Sequence, residues 1–499
     1  MLRALLEKLS QQVKGKLLLP EMPGFKEAMS GFNTAIEHNP AAIVCANSVE
    51  DIQETVRFAS ANKCPVYTQL TGHGAINPLE SGILIVTKNL NTFSIDPATS
   101  TATISAGVVW KDVIAEASKH KLAPIAGSSE TVGAIGYMLG GGFGPLVRSH
   151  GLSSNYVTNF KVITATGELI NANQHEHSDL FWALKGGGNL GFGVITEMQI
   201  HLERLEHIYG GLLTFSEEHI EPVFRKWVDW SQQPNHNMTT SIAIFNFPDR
   251  PHLPVHYRGK RLLMLRVAYP GSREEAEELI RPITDIAKPY LGKLDILPAS
   301  DIRMIHQDPE TPGPAWIGGR LIDRTDSHFA DIVLQEFGQG AGSILAGVEI
   351  RQLGGVLHTH PAANTAVAGH LAHYCFGLIG KNPMFYSQMP EQEAKLLDSL
   401  KDYIHPERNF NFSGKQTSAQ HFADIWSGET YEKLQSIRRI YDPQEIFCRR
   451  IVEQPVSRVI SQTISPYSFF AGNTIVAKMK ADDFLKDANP NLKQPRLGE

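Results

Sequence analysis

Two glycine-rich runs and a scatter of histidines are the residues of this 499-residue chain whose types and spacing could do chemistry. Gly127–Gly151 reads GSSETVGAIGYMLGGGFGPLVRSHG and holds eight glycines in 25 residues, with Gly140, Gly141, Gly142 and Gly144 nearly continuous. Helix and strand interiors rarely carry such density, because each glycine costs roughly 0.5–1 kcal/mol there relative to alanine. The run suits a backbone that takes positive φ and presses its amides against something flat or anionic. Lys185–Thr196, KGGGNLGFGVIT, has the same character and leads into an apolar strand. Either loop alone reads equally well as a generous turn. Two in one domain suggest a cradle for a large cofactor.

The histidines invite a metal reading. His358-Thr359-His360 resembles a ligand pair, and so do His370 and His373 with Cys375 just beyond. On a helix the latter two histidines share a face and Cys375 points away; on a strand His373 and Cys375 share a face and His370 lies opposite. No regular backbone gathers all three, so no metal is expected. His370 and Tyr374 are four apart and would share one face of a helix.

Composition bounds the rest. A hydrophobic content of 42% with 20% charged residues is that of a globular protein, long enough for two or three domains. The formal net charge of −6 argues against nucleic acid or an anionic membrane as partner. Cys45, Cys64, Cys375 and Cys448 are scattered without a paired spacing, so no disulfide framework is expected. MLRALLEKLSQQVKGK lacks the apolar stretch of a secretory signal, and no run reaches the ~18 apolar residues of a membrane span. The expectation is a cytoplasmic protein, and the sequons at Asn237 and Asn411 would matter only if it were secreted.

The elements that must position these loops follow in order. Residues 1–35 read as a helical lead-in, with Leu2, Leu5, Leu6 and Leu9 at helical spacing. Ala41–Cys45 is a strand, and Ser48 caps the helix SVEDIQETVRFASANK. Val66-Tyr67 starts a strand that runs into Thr71-Gly72-His73-Gly74. Ile83–Val86, Thr101–Ala106, Val157–Thr164, Leu169-Ile170 and Val194–Leu202 read as strands, Val109–Lys119 and Asp179–Leu184 as helices. The alternation predicts an α+β fold, and no GxGxxG follows an early strand as a doubly wound fold would require. Beyond 205, long strands such as Arg261–Ala268 and Ser343–Val348 alternate with amphipathic helices such as Arg273–Ile280. That pattern predicts an antiparallel sheet backed by helices. Residues 428–440 read as a last helix before YDPQEIF, and the polar composition of the tail predicts a loose segment.

These motifs in this order resemble the berberine-bridge-enzyme-like branch of the flavoproteins named after vanillyl-alcohol oxidase and p-cresol methylhydroxylase. The residues that carry the resemblance are SVEDI, the Gly72–Gly74 turn, TVGAIGYMLGGGFG, HSDLFWALKGGGNLGFGVIT and WSGETYEKLQSIRRIYDPQEIF. It covers about residues 36–455. It implies a two-subdomain FAD-binding domain of the p-cresol-methylhydroxylase type over 36–204, a substrate-binding domain over 205–427, a returning segment over 428–460 and a tail over 461–499.

The resemblance also implies site residues. His73 corresponds to the histidine bonded covalently to the flavin 8α-methyl; a neutral imidazole can add to an electron-poor methide near pH 7. Leu70, Thr71, Gly72 and Gly74 would surround the pyrophosphate with backbone amides. Thr131, Val132, Gly133, Gly136, Tyr137 and Gly142 would line the flavin and ribityl chain, and Gly188, Asn189, Gly193 and Val194 the pyrimidine edge. Two departures stand out. Ser129 occupies the place of a second, cysteinyl attachment and lacks the thiolate it needs, so attachment through His73 alone is expected. Gln69 stands where relatives often have arginine, which leaves one phosphate contact neutral. Val132 falls at the oxygen gatekeeper position, where valine goes with O2 access.

The function implied is an FAD-linked oxidase. It would pass a hydride from a small organic substrate, an alcohol or a specialised-metabolism intermediate, to flavin N5, with O2 as acceptor and H2O2 as product. A monomer or weak homo-oligomer is expected. The base is open. Relatives often carry Tyr-x-Asn-Tyr over the flavin, whereas Asn409-Phe410-Asn411-Phe412 keeps the asparagine and loses both phenols. Asn411 remains able to hydrogen-bond near the flavin; Tyr137, His370 and Tyr374 are the other candidates, with His358, His360 and His373 nearby. A non-redox cyclase or isomerase on a structural FAD, and a carbohydrate oxidase, are the alternatives.

Overall fold

The computed structural model describes residues 2–447, apart from 234–236, 252, 361–364 and 415–421. Cys448, the rest of the returning segment to 460 and the tail 461–499 lie outside the described residues. Three sheets carry the fold. The first is built from β1 (Lys16–Leu18), β2 (Ala42–Cys45), β3 (Val66–Gln69) and β4 (Ile83–Val86), in the order β1-β2-β4-β3. β2, β4 and β3 are parallel, whereas β1 joins antiparallel. The short apolar runs of β2 and β4 suit strands covered on both faces. The lead-in is therefore not purely helical: helices Leu2–Gln12 and Phe25–Met29 flank β1. What fixes β1 is Asp51, whose carboxylate accepts from the amides of Lys14 (2.6 Å), Gly15 (2.9 Å) and Asn47 (2.8 Å). Asp51 lies in the first turn of the helix Val49–Asn62, where the Ser48 hydroxyl caps its amide.

The second sheet is antiparallel and comprises β5 (Phe93–Asp96), β6 (Thr101–Ser105), β7 (Val157–Ile163), β8 (Leu169–Asn173) and β9 (Val194–His201), in the order β5-β6-β9-β7-β8. Helices Trp110–Ser118, Ala134–Leu139 and Ser178–Gly187 bury Trp110, Ile135, Phe181 and Trp182 against it. Both glycine loops leave from this layer.

The third sheet has seven antiparallel strands: β10 (His207–Phe215), β11 (Thr239–Asn246), β12 (Arg261–Tyr269), β13 (Leu291–Pro298), β14 (Trp316–Ile322), β15 (Gly347–Gln352) and β16 (Tyr374–Gly380). Their order is β13-β10-β12-β11-β15-β16-β14. Helices Ile220–Ser231, Arg273–Thr284, Ser327–Phe337 and Met389–Ser399 cover one face, burying Trp227, Phe224 and Phe329 with Leu265, Ile350 and Phe376. Side chains alternate along a strand, so Arg266, Glu349, Arg351 and Cys375 fall on the other face. The strand expected over Ser343–Val348 begins instead at Gly347 and runs through Arg351. Among the described residues, no helix is long and apolar enough to cross a membrane.

Candidate active site

A cavity of about 500 Å3 lies where these layers meet. β3 feeds its first wall, because the chain turns at Gly72 with φ +70 as it leaves the strand. A side chain at Gly72 would sit 2.6 Å from the Gly31 backbone, so glycine is what lets this turn close on the lead-in. Among the described residues, the amides of Thr71, Gly72, His73 and Gly74 donate to no protein carbonyl. Leu70–Gly74 line the cavity, and a side chain at Gly74 would meet nothing within 4 Å. Four uncommitted amides around an opening make a site for an anionic group.

His73 is held inside this wall. Its ring stacks on Phe32 with centroids 3.8 Å apart, Nδ1 lies 2.9 Å from Thr71 Oγ1, and Nε2 lies 3.2 Å from Thr131 Oγ1. Thr131 in turn pairs with Ser129 Oγ at 3.0 Å. Burial pushes the imidazole down to about 4, so at neutral pH it is an uncharged nucleophile. Gln69 also lines the cavity, with its Nε2 donating to Met29 O at 3.1 Å.

The central glycine stretch forms the second wall. Ser129, Val132, Gly133, Gly136 and Tyr137 line the cavity, and a side chain at Gly136 would meet nothing within 4 Å. Thr131 stands behind His73. Gly142 does not line the cavity: with φ +78, it leaves room for the Tyr137 ring and Ser153, which an added carbon would approach to 2.7 and 2.6 Å. In the second loop, helix Ser178–Gly187 breaks at Lys185 and Gly186, and Gly188, Asn189, Gly193 and Val194 reach the cavity. Asn411 and Phe412 close the remaining side, with Phe412 stacked 6.3 Å from Phe143.

A family model described as an FAD binding domain matches residues 40–173, which span the His73 turn and the central glycine stretch. Over 471 residues the chain is 24% identical to an uncharacterized FAD-linked oxidoreductase, YvdP, of Bacillus subtilis, covering 88% of this chain and 97% of the other. Over 454 residues it is 24% identical to (R)-6-hydroxynicotine oxidase of Paenarthrobacter nicotinovorans, covering 87% and 95%. Along most of its length the chain is similar to FAD-linked oxidoreductases, and residues 40–173 match an FAD binding domain. Its fold is that of BBE-like 1 of Physcomitrella patens, with a TM-score of 0.76 at 16% identity over 90% of this chain and 99% of the other. The uncommitted amides and the open glycine cradle fit the cofactor of this oxidoreductase class.

Of the proton acceptors proposed from sequence, the structure brings Tyr137 and Asn411 to the cavity and leaves His370 and Tyr374 away from it. Tyr137 lines the cavity, but burial pushes its phenol up to about 12, so it stays protonated at neutral pH, its oxygen accepting from Ser153 Oγ at 3.3 Å. Tyr374 opens β16 on the helix-packed face, bonded to Ser231 Oγ (3.0 Å) and Thr325 Oγ1 (3.2 Å) with its ring edge-on to Trp227. His370 shares no helix with it; His370 sits in the turn before β16, bonded through Nδ1 to Val367 O at 2.8 Å. Neither lines the cavity. His358 and His373 stack edge-on at 4.6 Å beside His370, and His360 is exposed.

The structure brings two charged groups to the cavity that the sequence reading missed, Asp308 and Arg351. Asp308 follows the short helix Arg303–His306 and accepts from Ser128 Oγ at 2.5 Å. Arg351 projects from β15 beside Glu349, and its guanidinium lies 5.4 Å from the Phe412 ring centre. The available signal was Glu349-Ile350-Arg351, charges at alternate positions of an apolar strand, which share a face. Burial tends to raise Glu349, yet Arg351 and Arg266 hold it down to about 2.

His306 lies in the same cluster, 3.8 Å from Glu349 Oε1. Burial, and then the charges of Arg351 and Arg266, hold it down to about 3. An unfolded histidine titrates near pH ~6.5, so the unfolded state takes up a proton first and stability falls as pH drops below that value. His306→Gln should flatten the fall in melting temperature between about pH 6.5 and 4, since a tenfold difference in proton affinity between the two states is worth about 1.4 kcal/mol. An unchanged acid slope in a thermal-melt series would place the uptake elsewhere.

Proposed function

We propose that this protein is an oxidase of a small organic alcohol, whose bound FAD accepts a hydride at N5 and returns the electrons to O2 as H2O2. The observation that carries the reading is His73, a desolvated, neutral imidazole set among four uncommitted amides on the wall of a cavity that also holds polar groups. Residues 36–204 with 428–447 hold the flavin in this reading, and 205–427 supply the substrate face. Thr71–Gly74 bind the pyrophosphate, and Thr71 and Thr131 orient the His73 ring for a single covalent link. Ser129 contributes a hydroxyl and no second bond. Phe143 and Phe412 keep water from the substrate end.

The test is anaerobic mixing of the flavin-loaded protein with a panel of primary and secondary alcohols. The flavin absorbance should bleach, and admitting air should restore it with stoichiometric peroxide. Product forming without bleaching would replace the oxidase with a non-redox isomerase or cyclase. Val132 bears on the oxygen half alone. Val132→Ile adds one methylene to the cavity wall and should slow reoxidation by about tenfold, equivalent to ~1.4 kcal/mol of barrier, without changing anaerobic reduction. An unchanged oxygen rate in stopped flow would remove Val132 as the gate.

A further inference from the structure

The third sheet lines up its polar groups by register. Arg266 on β12 stands opposite Ser241 on β11, Ser241 opposite Arg351 on β15, and Arg351 opposite Cys375 on β16. Glu349, on the same face, joins both arginines: Oε1 accepts from Arg266 Nη1 at 2.9 Å, and Oε2 from Arg351 Nη2 at 2.8 Å and Nε at 3.0 Å. Two guanidinium groups against one carboxylate leave a positive charge over, which an interior tolerates poorly. Asp308 supplies the balancing charge from the opposite wall, together with Glu349 holding Arg351 more firmly protonated against its burial. Among the described residues, Arg351 Nη1 and Asp308 Oδ1 carry no hydrogen bond, and both residues line the cavity.

We propose that Asp308 and Arg351 are the hydroxyl-activating pair of this site, and that its substrate is a neutral alcohol or phenol. The O–H of the substrate meets Asp308 Oδ1, and its oxygen meets the Arg351 Nη1 donors. The O–H bond breaks, the proton passes to Asp308, and the electron pair stays on the oxygen under the guanidinium. In an alcohol that pair closes the C=O bond as hydride leaves the carbon; the destination of the hydride rests on the oxidase reading, the proton transfer does not. A substrate carboxylate is disfavoured, because it would add a negative group beside Asp308 when the cluster is already balanced.

4-Nitrophenol is the probe, since it offers an O–H and has no hydride to give. It is mixed with the oxidised, flavin-loaded full chain well below the ionisation of the free phenol. The expected result is saturable binding of the neutral phenol, with its absorption shifted to the red by the hydrogen bond to Asp308, and at least about tenfold weaker binding of 4-nitroanisole, whose oxygen carries no proton. Asp308→Asn and Arg351→Met should each weaken binding of the phenol by about tenfold or more, the loss of a charged hydrogen bond. Retained flavin in each variant reports the fold. An anisole that binds as tightly as the phenol, variants that bind the phenol like the unsubstituted protein, or no binding would each overturn the pair. Binding of the probe through both residues, with no alcohol that bleaches the flavin, would instead sink the oxidase reading and leave the pair standing.

Discussion

His73→Ala should move the flavin from the acid-precipitated pellet to the supernatant. The imidazole is the nucleophile the cavity offers at this wall: uncharged at neutral pH, stacked on Phe32 and flanked by the hydroxyls of Thr71 and Thr131. Alanine has nothing to bond with, and Ser129, the neighbour two residues from Thr131, presents a hydroxyl that stays protonated where a thiolate would react. The expected loss of acid-stable colour is complete, while the variant still binds FAD through the Thr71–Gly74 amides. Colour kept in both pellets would place the bond on another residue. Colour in the supernatant from the unsubstituted protein would make the cofactor dissociable.

Asp442→Ala should cost the protein about 2–5 kcal/mol, the penalty for two buried amides left without acceptors. The carboxylate follows the last helix, Gly428–Tyr441, and accepts from Ile446 N and Phe447 N, each at 2.9 Å. This closes the YDP turn so that Phe447 reaches the cavity wall, where its carbonyl lies against Gly191 at a distance no side chain would allow. Denaturant unfolding should show a lower midpoint with an unchanged slope, and flavin retention should fall with it. Asp442→Asn, keeping one acceptor oxygen, should lose roughly half as much. A midpoint within ~0.5 kcal/mol of the parent would mean that the turn does not depend on this carboxylate.

Local signals carry most of the fold. Ser48 is legible as a cap because its hydroxyl acts on an amide three residues away, and β4 because Ile83–Val86 is apolar throughout. The glycine loops and His73 are legible because backbone approach and nucleophilicity are properties of residue type. The features that escape the sequence need long-range information. β1 exists because Asp51 gathers amides from more than thirty residues upstream. Tyr374 reads as a site residue on a helix shared with His370, whereas it opens β16, and the pairing of that strand turns it to the helix-packed face. A strand drawn over Ser343–Val348 stops short of Arg351, which the observed strand carries. Asp308 sits in a loop with no periodicity, 180 residues from the serine it bonds.

The row Arg266–Ser241–Arg351–Cys375 has an evolutionary consequence. A β-ladder is held by backbone bonds, so these side chains can be exchanged while the strands stay paired, provided that the arginines and Glu349 change in charge-balanced combinations. The turn before His73 is different, because there the backbone itself makes the wall and a side chain at Gly72 would meet the Gly31 backbone. Arg351 is the member of the row that lines the cavity, so selection can redraw what is recognised there by changes on one sheet face, while the amides and imidazole of the wall stay fixed. A lineage with this scaffold can diversify its chemistry of recognition without rebuilding its chemistry of oxidation.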